Sequence, residues 1–387
     1  MGGNEPMATT VSQRAEEWRS AAGVAAAPTV SIIIPARDEE ANIGGALAAA
    51  CASEAAEILV VDDGSSDATV RKVLHWTLRD PRVRLLRAGP LPVGWIGKSH
   101  ALWRGACAAQ GDWLLFLDAD ARLCRGGLAI AQKLAANGGL DALSISPQQH
   151  VVSFAERAVN PLIYRMLSAR YPYARVNDPA DPCAAANGQF ILAQRPAYFQ
   201  CGGHGAVPGD WLEDVALARL FKQSGLHYRF EALPGVVHTR MYRDRRSLFA
   251  GWKKNLFLLF GSVRSPMGAA LAGTLLGLIV ILVALAAAVG LGAWAAAIFL
   301  SSLAAAAHLT YGALVPAEEM GWLQRSTLMI PALLMVLGLW ASSERAFAGE
   351  GSLEWRGRHL RVNSAVGGKS IRIAAPSRAQ LHRHARG

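Results

Sequence analysis

The chain has 387 residues and a formal net charge of +10; 52% of its residues are hydrophobic and 18% charged, whereas an ordinary soluble domain is about 25% charged. The apolar excess collects in residues 266–345, almost free of charge, which excludes an ordinary soluble protein. No aromatic-interleaved basic stripe or binding module is present, so nucleic acid is not an expected partner; Arg240, Arg243, Arg245, Arg246, Lys253, Lys254 and Arg264 instead lie just before the apolar block, as cytoplasmic juxtamembrane charge does.

In chain order, the start, MGGNEPMATTVSQRAEEWRS, is polar and lacks a signal-peptide core. Val30–Pro35 (VSIIIP) is a β-branched run with the composition of a buried parallel strand. Glu39–Cys51 predicts a helix, Ile58–Asp62 (ILVVD) a second strand, and Asp67–Leu78 a helix with Asp67 as its N-cap. Val83–Arg87 predicts a third strand, Lys98–Gln110 a helix stopped by Gly111, and Trp113–Leu117 a fourth strand. The alternation predicts an α/β fold: a mostly parallel sheet flanked by helices, with ligands at the carboxyl ends of its strands. Ser144–Ser146 and Gln189–Ala193 read as further strands, and Asp214–Ser224 as a helix ended by Gly225. The five cysteines, Cys51, Cys107, Cys124, Cys183 and Cys201, are scattered without a CxxC. They form neither a disulfide framework nor a zinc site, and read as reduced cytosolic thiols.

Arg240–Phe260 mixes arginines and lysines with Trp252, Phe257 and leucines. It suits an interfacial helix, or an ordinary surface helix. Pro266–Ala288 and Leu291–Thr310 are each long enough to span a bilayer, which takes about 20 residues. Thr327–Ser342, with Pro331 inside it, is shorter: a third span, a re-entrant segment or an interfacial helix. The basic tail from WRGRHLRV onward argues for an even number of crossings. From about Asn363 it is Arg- and Gly-rich, a disordered composition.

The chemistry sits at the strand tips. The run LLFL stops on Asp118 and Asp120, which a strand would point the same way. Two carboxylates there form a hard-oxygen site for Mg²⁺ or Mn²⁺, and hence for a nucleoside diphosphate held through the metal; solvated turn residues are the bland alternative. In VVDDGSSDAT, Asp62 can accept from a base N–H or a ribose hydroxyl, Asp63 lies beside it, and Gly64 lets the turn bend. GWIGKSHAL sets Gly97 and Lys98 at a helix start, where amides and an ammonium favour phosphate, although it is not a P-loop.

With SIIIPARDEEANI, VVDDGSSDAT, GWIGKSHALWRG, FLDADARL and WLEDVALARLFKQSG in this order, residues 28–260 resemble the family 2 inverting glycosyltransferases of the GT-A fold. PLPVGWIGK, CGGHGAVPGDWLEDVALA and RMYRDRRSLFAGWKKN resemble the membrane-bound branch of hopanoid-associated and carotenoid glycosyltransferases. The resemblance implies that Pro35, Ala36, Arg37 and Glu39 line the nucleotide pocket, with Asp62 and Asp63, and that Asp62 meets the base. It places Lys98 near the nucleotide or diphosphate, Asp118 at the ribose or sugar, and Asp120 on the metal. Asp214 would be the general base, with Glu213 beside it, although both could simply cap their helix. His238 would be a third metal ligand or a structural histidine, and His204 a turn residue near the acceptor. Arg243, Arg245 and Arg246 resemble an arginine-bearing segment near the diphosphate, with Arg243 and Arg246 as the residues that would bind the nucleotide sugar. A clear QxxRW is missing; RRSLFAGW stands in its place, which argues against a processive synthase.

The implied organisation is a polar extension over 1–28, a GT-A domain over 29–262, a transmembrane region over 263–345 and a basic tail over 346–387. The domain divides into a nucleotide half (29–122), an acceptor half (123–240) and the interfacial helix (241–262). The expected protein is a multi-pass enzyme of a bacterial-type cytoplasmic membrane, its catalytic domain cytoplasmic, passing a sugar from a nucleotide sugar, UDP favoured, to a lipid hydroxyl. A polyprenyl-phosphate glycosyltransferase and a non-catalytic membrane relative are the alternatives; a nucleotidyltransferase would share the nucleotide-and-metal layout but would not need EDVALARL. Oligomeric state leaves no mark in the sequence.

Overall fold

The structure, a computed structural model, describes residues 28–314, 322–348, 352–355 and 358–361. The N-terminal extension and most of the basic tail lie outside the described residues.

The first half alternates β1 (Val30–Ala36), α1 (Ile43–Cys51), β2 (Glu57–Asp62), α2 (Thr69–Thr77), β3 (Val83–Arg87), α3 (Gly97–Ala108) and β4 (Trp113–Leu117). β1 pairs in parallel with β2 and β4, and β2 with β3. Every residue of β2 is buried, because helices cover both faces of the sheet. Ile43 and Leu47 of α1 pack on one face, Ala101, Leu102 and Ala106 of α3 on the other. The parallel register pairs Ala36 with Asp62, so both strand ends reach the same edge.

Next come β5 (Ala121–Leu123), α4 (Gly127–Asn137), β6 (Ala142–Ser146), β7 (Gln148–Gln149), α5 (Phe154–Arg170), α6 (Tyr173–Val176), β8 (Phe190–Gln194), α7 (Arg195–Gln200), α8 (Glu213–Gln223), β9 (Tyr228–Ala232) and β10 (Val237–Thr239). The main sheet has seven strands in the order β3-β2-β1-β4-β8-β6-β9, and β5-β10-β7 form a small second sheet. β8 runs antiparallel to both β4 and β6, so the sheet is mixed, with a parallel block of β1 to β4.

Helix starts differ most from the sequence reading. α1 begins at Ile43, not Glu39, because Glu39 turns away: its N–H donates to Thr69 Oγ1 at 2.7 Å and its carbonyl accepts from Asn42 and Ile43. α2 begins at Thr69, with Asp67 Oδ1 accepting the Thr69 N–H at 2.9 Å. α5 has no counterpart in that reading; in the fold the helix runs through Pro161, started by a capping box between Ser153 and Glu156.

The C-terminal part contains α9 (Arg245–Phe260), α10 (Pro266–Gly290), α11 (Trp294–Leu314), α12 (Trp322–Ala348) and a hairpin of β11 (Ser352–Trp355) and β12 (Arg358–Arg361). α9 starts five residues later than expected, at the Asp244 cap, whose Oδ1 accepts the Ser247 N–H at 2.9 Å. Among the described residues, Pro266–Gly290 (mean hydropathy 2.7) and Leu328–Phe347 (1.3) are long and apolar enough to cross a membrane, and Trp294–Ala306 is a shorter apolar helix. α12 continues past Ser342, where the sequence reading ended it, because its polar residues find partners. Ser343 Oγ accepts from the Phe257 N–H at 2.9 Å, and the Glu344 carboxylate accepts from Ser262 Oγ (2.8 Å) and the Val263 N–H (2.9 Å). Leu162 and Ile163 of α5, Leu248, Trp252 and Leu256 of α9, and Met329, Leu333 and Val336 of α12 form one buried cluster. α12 is therefore built into the wall of the α/β domain.

Candidate active site

A cleft of about 850 Å³ opens at the carboxyl edge of the parallel block. Pro35, Ala36, Arg37 and Glu39 line it from the end of β1, and Asp63 from the end of β2. Lys98 enters from the first turn of α3, Asp118 and Asp120 from beyond β4, Glu213 and Asp214 from the start of α8.

Lys98 joins two of these groups. Its Nζ lies 2.9 Å from Asp118 Oδ1 and 2.8 Å from Glu213 Oε1. Burial works against this ammonium, but Asp118, Glu213 and Asp214 outweigh it and hold it well above the ordinary lysine range. Burial likewise opposes ionisation of Glu213, and Lys98 more than compensates, so Glu213 titrates below its usual range. Asp214 has no such partner: burial and then the Glu213 charge push it up to about 6. Its carboxylate is held from the backbone, Oδ2 accepting the Gly188 N–H at 3.0 Å and Oδ1 its neighbour Val215 N–H at 2.8 Å.

Asp120 is held against ionisation by its surroundings. Burial, then Asp118 and Glu39, push it up to about 7. Its Oδ1 accepts from Gln189 Nε2 at 3.2 Å; among the described residues Oδ2 has no hydrogen-bond donor. A half-buried all-oxygen group with one open carboxylate oxygen and excess negative charge is the chemistry of a hard divalent cation site. Among the described residues no three His, Cys, Asp or Glu side chains converge as a finished cage.

The opposite wall is apolar and aromatic: Tyr164 and Leu167 from α5, Met241, and Trp252 and Leu259 from α9. Behind Asp120 lies a second cavity of about 350 Å³, lined by Arg122, His150, Val152, His238 and Arg240 together with Asn42, Asp120 and Arg243, which also line the main cleft. Arg240 is oriented by Glu156, with Nε 3.3 Å from Oε1.

Not every residue singled out from sequence reaches the cleft. Asp62 does not: it is 1% exposed, and its Oδ2 accepts from Arg87 Nη1 at 2.6 Å and from the Gly64 N–H at 3.3 Å, while Oδ1 accepts from the Ser65 N–H at 3.1 Å. The carboxylate is spent on its own turn, whose glycine has φ +77°. His238 shares the second cavity with Asp120, its ring packed edge-on against His150 and its Nδ1 3.6 Å from Cys124 Sγ. Arg243 lines both cavities; Arg246 is exposed on the first turn of α9 and lines neither. His204 is a core residue rather than a turn residue at the acceptor: it is 1% exposed, with Nδ1 2.9 Å from Tyr198 Oη.

Gln189 belongs to the site neighbourhood and lies in no motif, while Asp38, Asn42, Arg122 and Arg240 lie within motifs quoted above without having been given a role in the site. Asp38, next to Arg37 in PARDEE, has φ +51°, uncommon for a non-glycine residue, and its Oδ1 accepts the Ser66 N–H at 2.7 Å.

The family described as Glycosyl transferase family 2 matches residues 31–248. A 4,4'-diaponeurosporenoate glycosyltransferase of Staphylococcus aureus is 26% identical over 260 residues, covering 62% of this chain and 68% of its own. Among solved structures, the mannosyltransferase PcManGT from Pyrobaculum calidifontis, in complex with GDP-Man and Mn²⁺, is 19% identical with a TM-score of 0.47, covering 85% of this chain and 94% of its own. Glucosyl-3-phosphoglycerate synthase from Mycobacterium tuberculosis is 20% identical with a TM-score of 0.41, covering 66% and 84%.

Proposed function

The chain belongs to glycosyl transferase family 2, and on that premise we propose that it is a membrane-bound inverting glycosyltransferase that moves a sugar from a nucleoside-diphosphate sugar, UDP favoured, to the hydroxyl of a lipid. The observation that carries this reading is Lys98, which bonds Asp118 on the donor side and Glu213 beside the candidate base within one cleft. Pro35, Ala36, Arg37 and Asp63 receive the nucleotide at the ends of β1 and β2. Asp214 takes the proton of the acceptor hydroxyl as that oxygen attacks the anomeric carbon from the face opposite the nucleotide. One bond forms to the acceptor oxygen, the bond to the diphosphate oxygen breaks, and the anomeric configuration inverts. Lys98 and Arg243 offer positive charge to the departing diphosphate. Asp118 and Asp120 would hold Mg²⁺ or Mn²⁺; His238, which lines the adjoining cavity, does not converge with both of them. The cation, when bound, supplies neutralisation of charge on the leaving diphosphate.

The acceptor class follows from the apolar wall. Leu167, Met241, Trp252 and Leu259 face the cleft from elements that pack against α12. A lipid lying along that wall buries its chain while presenting one polar end to Asp214. The resemblance to a protein named for a carotenoid acid supports an elongated apolar acceptor. Arginines and lysines around α9 suit a cytoplasmic leaflet rich in anionic lipid.

The test is product analysis with purified protein, native lipid extract and UDP-glucose, UDP-N-acetylglucosamine or GDP-mannose. Release of nucleoside diphosphate that needs both lipid and divalent cation, and that Asp120→Ala abolishes, is the expected result. Pyrophosphate release, or nucleoside diphosphate release that proceeds unchanged in chelator, contradicts it.

A further inference from the structure

We infer that Gln189 is a positioning residue that aims the Asp120 carboxylate at the cation; the inference rests on the cation reading above. Gln189 immediately precedes β8 and is 5% exposed. Its Nε2 donates to Asp120 Oδ1 at 3.2 Å and to Thr239 Oγ1 at 3.1 Å, so both amide hydrogens have acceptors. Thr239, fully buried in β10, donates its hydroxyl hydrogen to the Asp120 carbonyl at 3.1 Å. Asp120 is thereby gripped at its backbone and at one carboxylate oxygen, by Thr239 in the small sheet and by Gln189 at the entry to β8 of the main sheet. The grip also fixes its rotation, because Gln189 is itself anchored: its N–H donates to Asn187 Oδ1 at 3.0 Å, and the Asn187 N–H donates to Ser144 Oγ at 2.9 Å.

The chemistry of the residue type explains the choice. A lysine or arginine here would orient Asp120 but also neutralise it and compete with the cation. A neutral amide orients without neutralising, occupies Oδ1 and leaves Oδ2 open. The same short segment reaches the other half of the chemistry, since the Gly188 N–H holds Asp214 Oδ2. Asn187–Gly188–Gln189 therefore ties the donor-side carboxylate and the candidate base to one piece of backbone, which sets their separation.

The experiment is titration of the full chain in detergent with Mn²⁺, free ion read by electron paramagnetic resonance, without donor or acceptor. Gln189→Leu, close in volume but unable to donate, is expected to raise the Mn²⁺ dissociation constant about 10- to 100-fold. Its kcat should return towards the wild-type value at saturating Mn²⁺, a recovery that general loss of structure would not give. Should Gln189→Leu fail to fold, Thr239→Val removes one of the two acceptors that fix the same amide and is expected to weaken Mn²⁺ binding in the same direction. A folded Gln189→Leu, or failing that a folded Thr239→Val, with wild-type Mn²⁺ affinity overturns the inference alone. A wild-type protein that binds no Mn²⁺ overturns the cation reading and the inference with it.

Discussion

Asp214 and Glu213 are neighbours in sequence with opposite electrostatic fates, and Lys98 separates them. Lys98 bonds Glu213 at 2.8 Å and keeps it ionised, while burial and the Glu213 charge lift Asp214 to about 6. A base with that pKa is ionised above pH 6 and protonated below it. The kcat/KM of the transfer should therefore fall about tenfold per pH unit below 6 and level off above it; a pH–rate profile reads this directly, and a flat profile from pH 5 to 8 contradicts it. Asp214→Asn should lower kcat by about 10²- to 10⁴-fold. Gly188 is a second sensitive position. A Cβ there would come within 3.1 Å of Lys98 Nζ and 3.4 Å of Asp214 Oδ2, so Gly188→Ala should lower kcat while leaving the unfolding midpoint nearly unchanged. At this scale the sequence was informative for five charges at strand or helix ends: Asp118, Asp120, Lys98, Glu213 and Asp214 all line the cleft. It was silent on Gln189, because a glutamine beside a strand has no periodicity to betray a partner 69 residues away. It also could not foresee that Asp62 would be claimed by Arg87, which depends on the cross-strand register pairing those two residues.

Two helices, α5 and α9, carry the apolar wall of the cleft, and only one of them was read from sequence. α9 was visible through its mixture of basic and aromatic residues; α5 was not, since a proline at its middle argues for a break. Tertiary packing overrides the proline: Val159, Leu162 and Ile163 are buried against α9 and α12. Trp252 Nε1 donates to Asn160 Oδ1 at 3.1 Å, both side chains buried. Trp252→Phe keeps most of the apolar surface but strands the Asn160 oxygen, at a cost of about 1–3 kcal/mol. Trp252→Ala also opens a cavity and should cost about 3–5 kcal/mol in denaturant unfolding of the detergent-solubilised protein. If α5 and α9 wall the lipid site, Trp252→Phe should raise KM for the lipid more than KM for the nucleotide sugar. Equal changes in both would instead mark Trp252 as part of the general core.

At the scale of the whole chain, the uncharged stretch after residue 265 and its division into three helices were legible from composition, but the ends of the third helix were not. Polar residues ended the third apolar segment on paper; in the structure Ser343 and Glu344 are satisfied by the Phe257 and Val263 amides and the Ser262 hydroxyl, so α12 runs on to Ala348. That helix docks the apolar region onto α5 and α9, placing an apolar wall within the same cleft as the carboxylates. Membranes containing the protein should retain it through alkaline carbonate extraction, whereas release into the supernatant would mark peripheral attachment. The joining of donor site, base and lipid wall in one cleft is tested most directly by incubating such membranes with labelled nucleotide sugar and counting label in the organic phase. Wild-type membranes should transfer label into lipid with at least one donor, and membranes with equally abundant Asp214→Asn should not. Label that appears equally with Asp214→Asn, or that never enters lipid from any donor although native lipids are supplied, would contradict it.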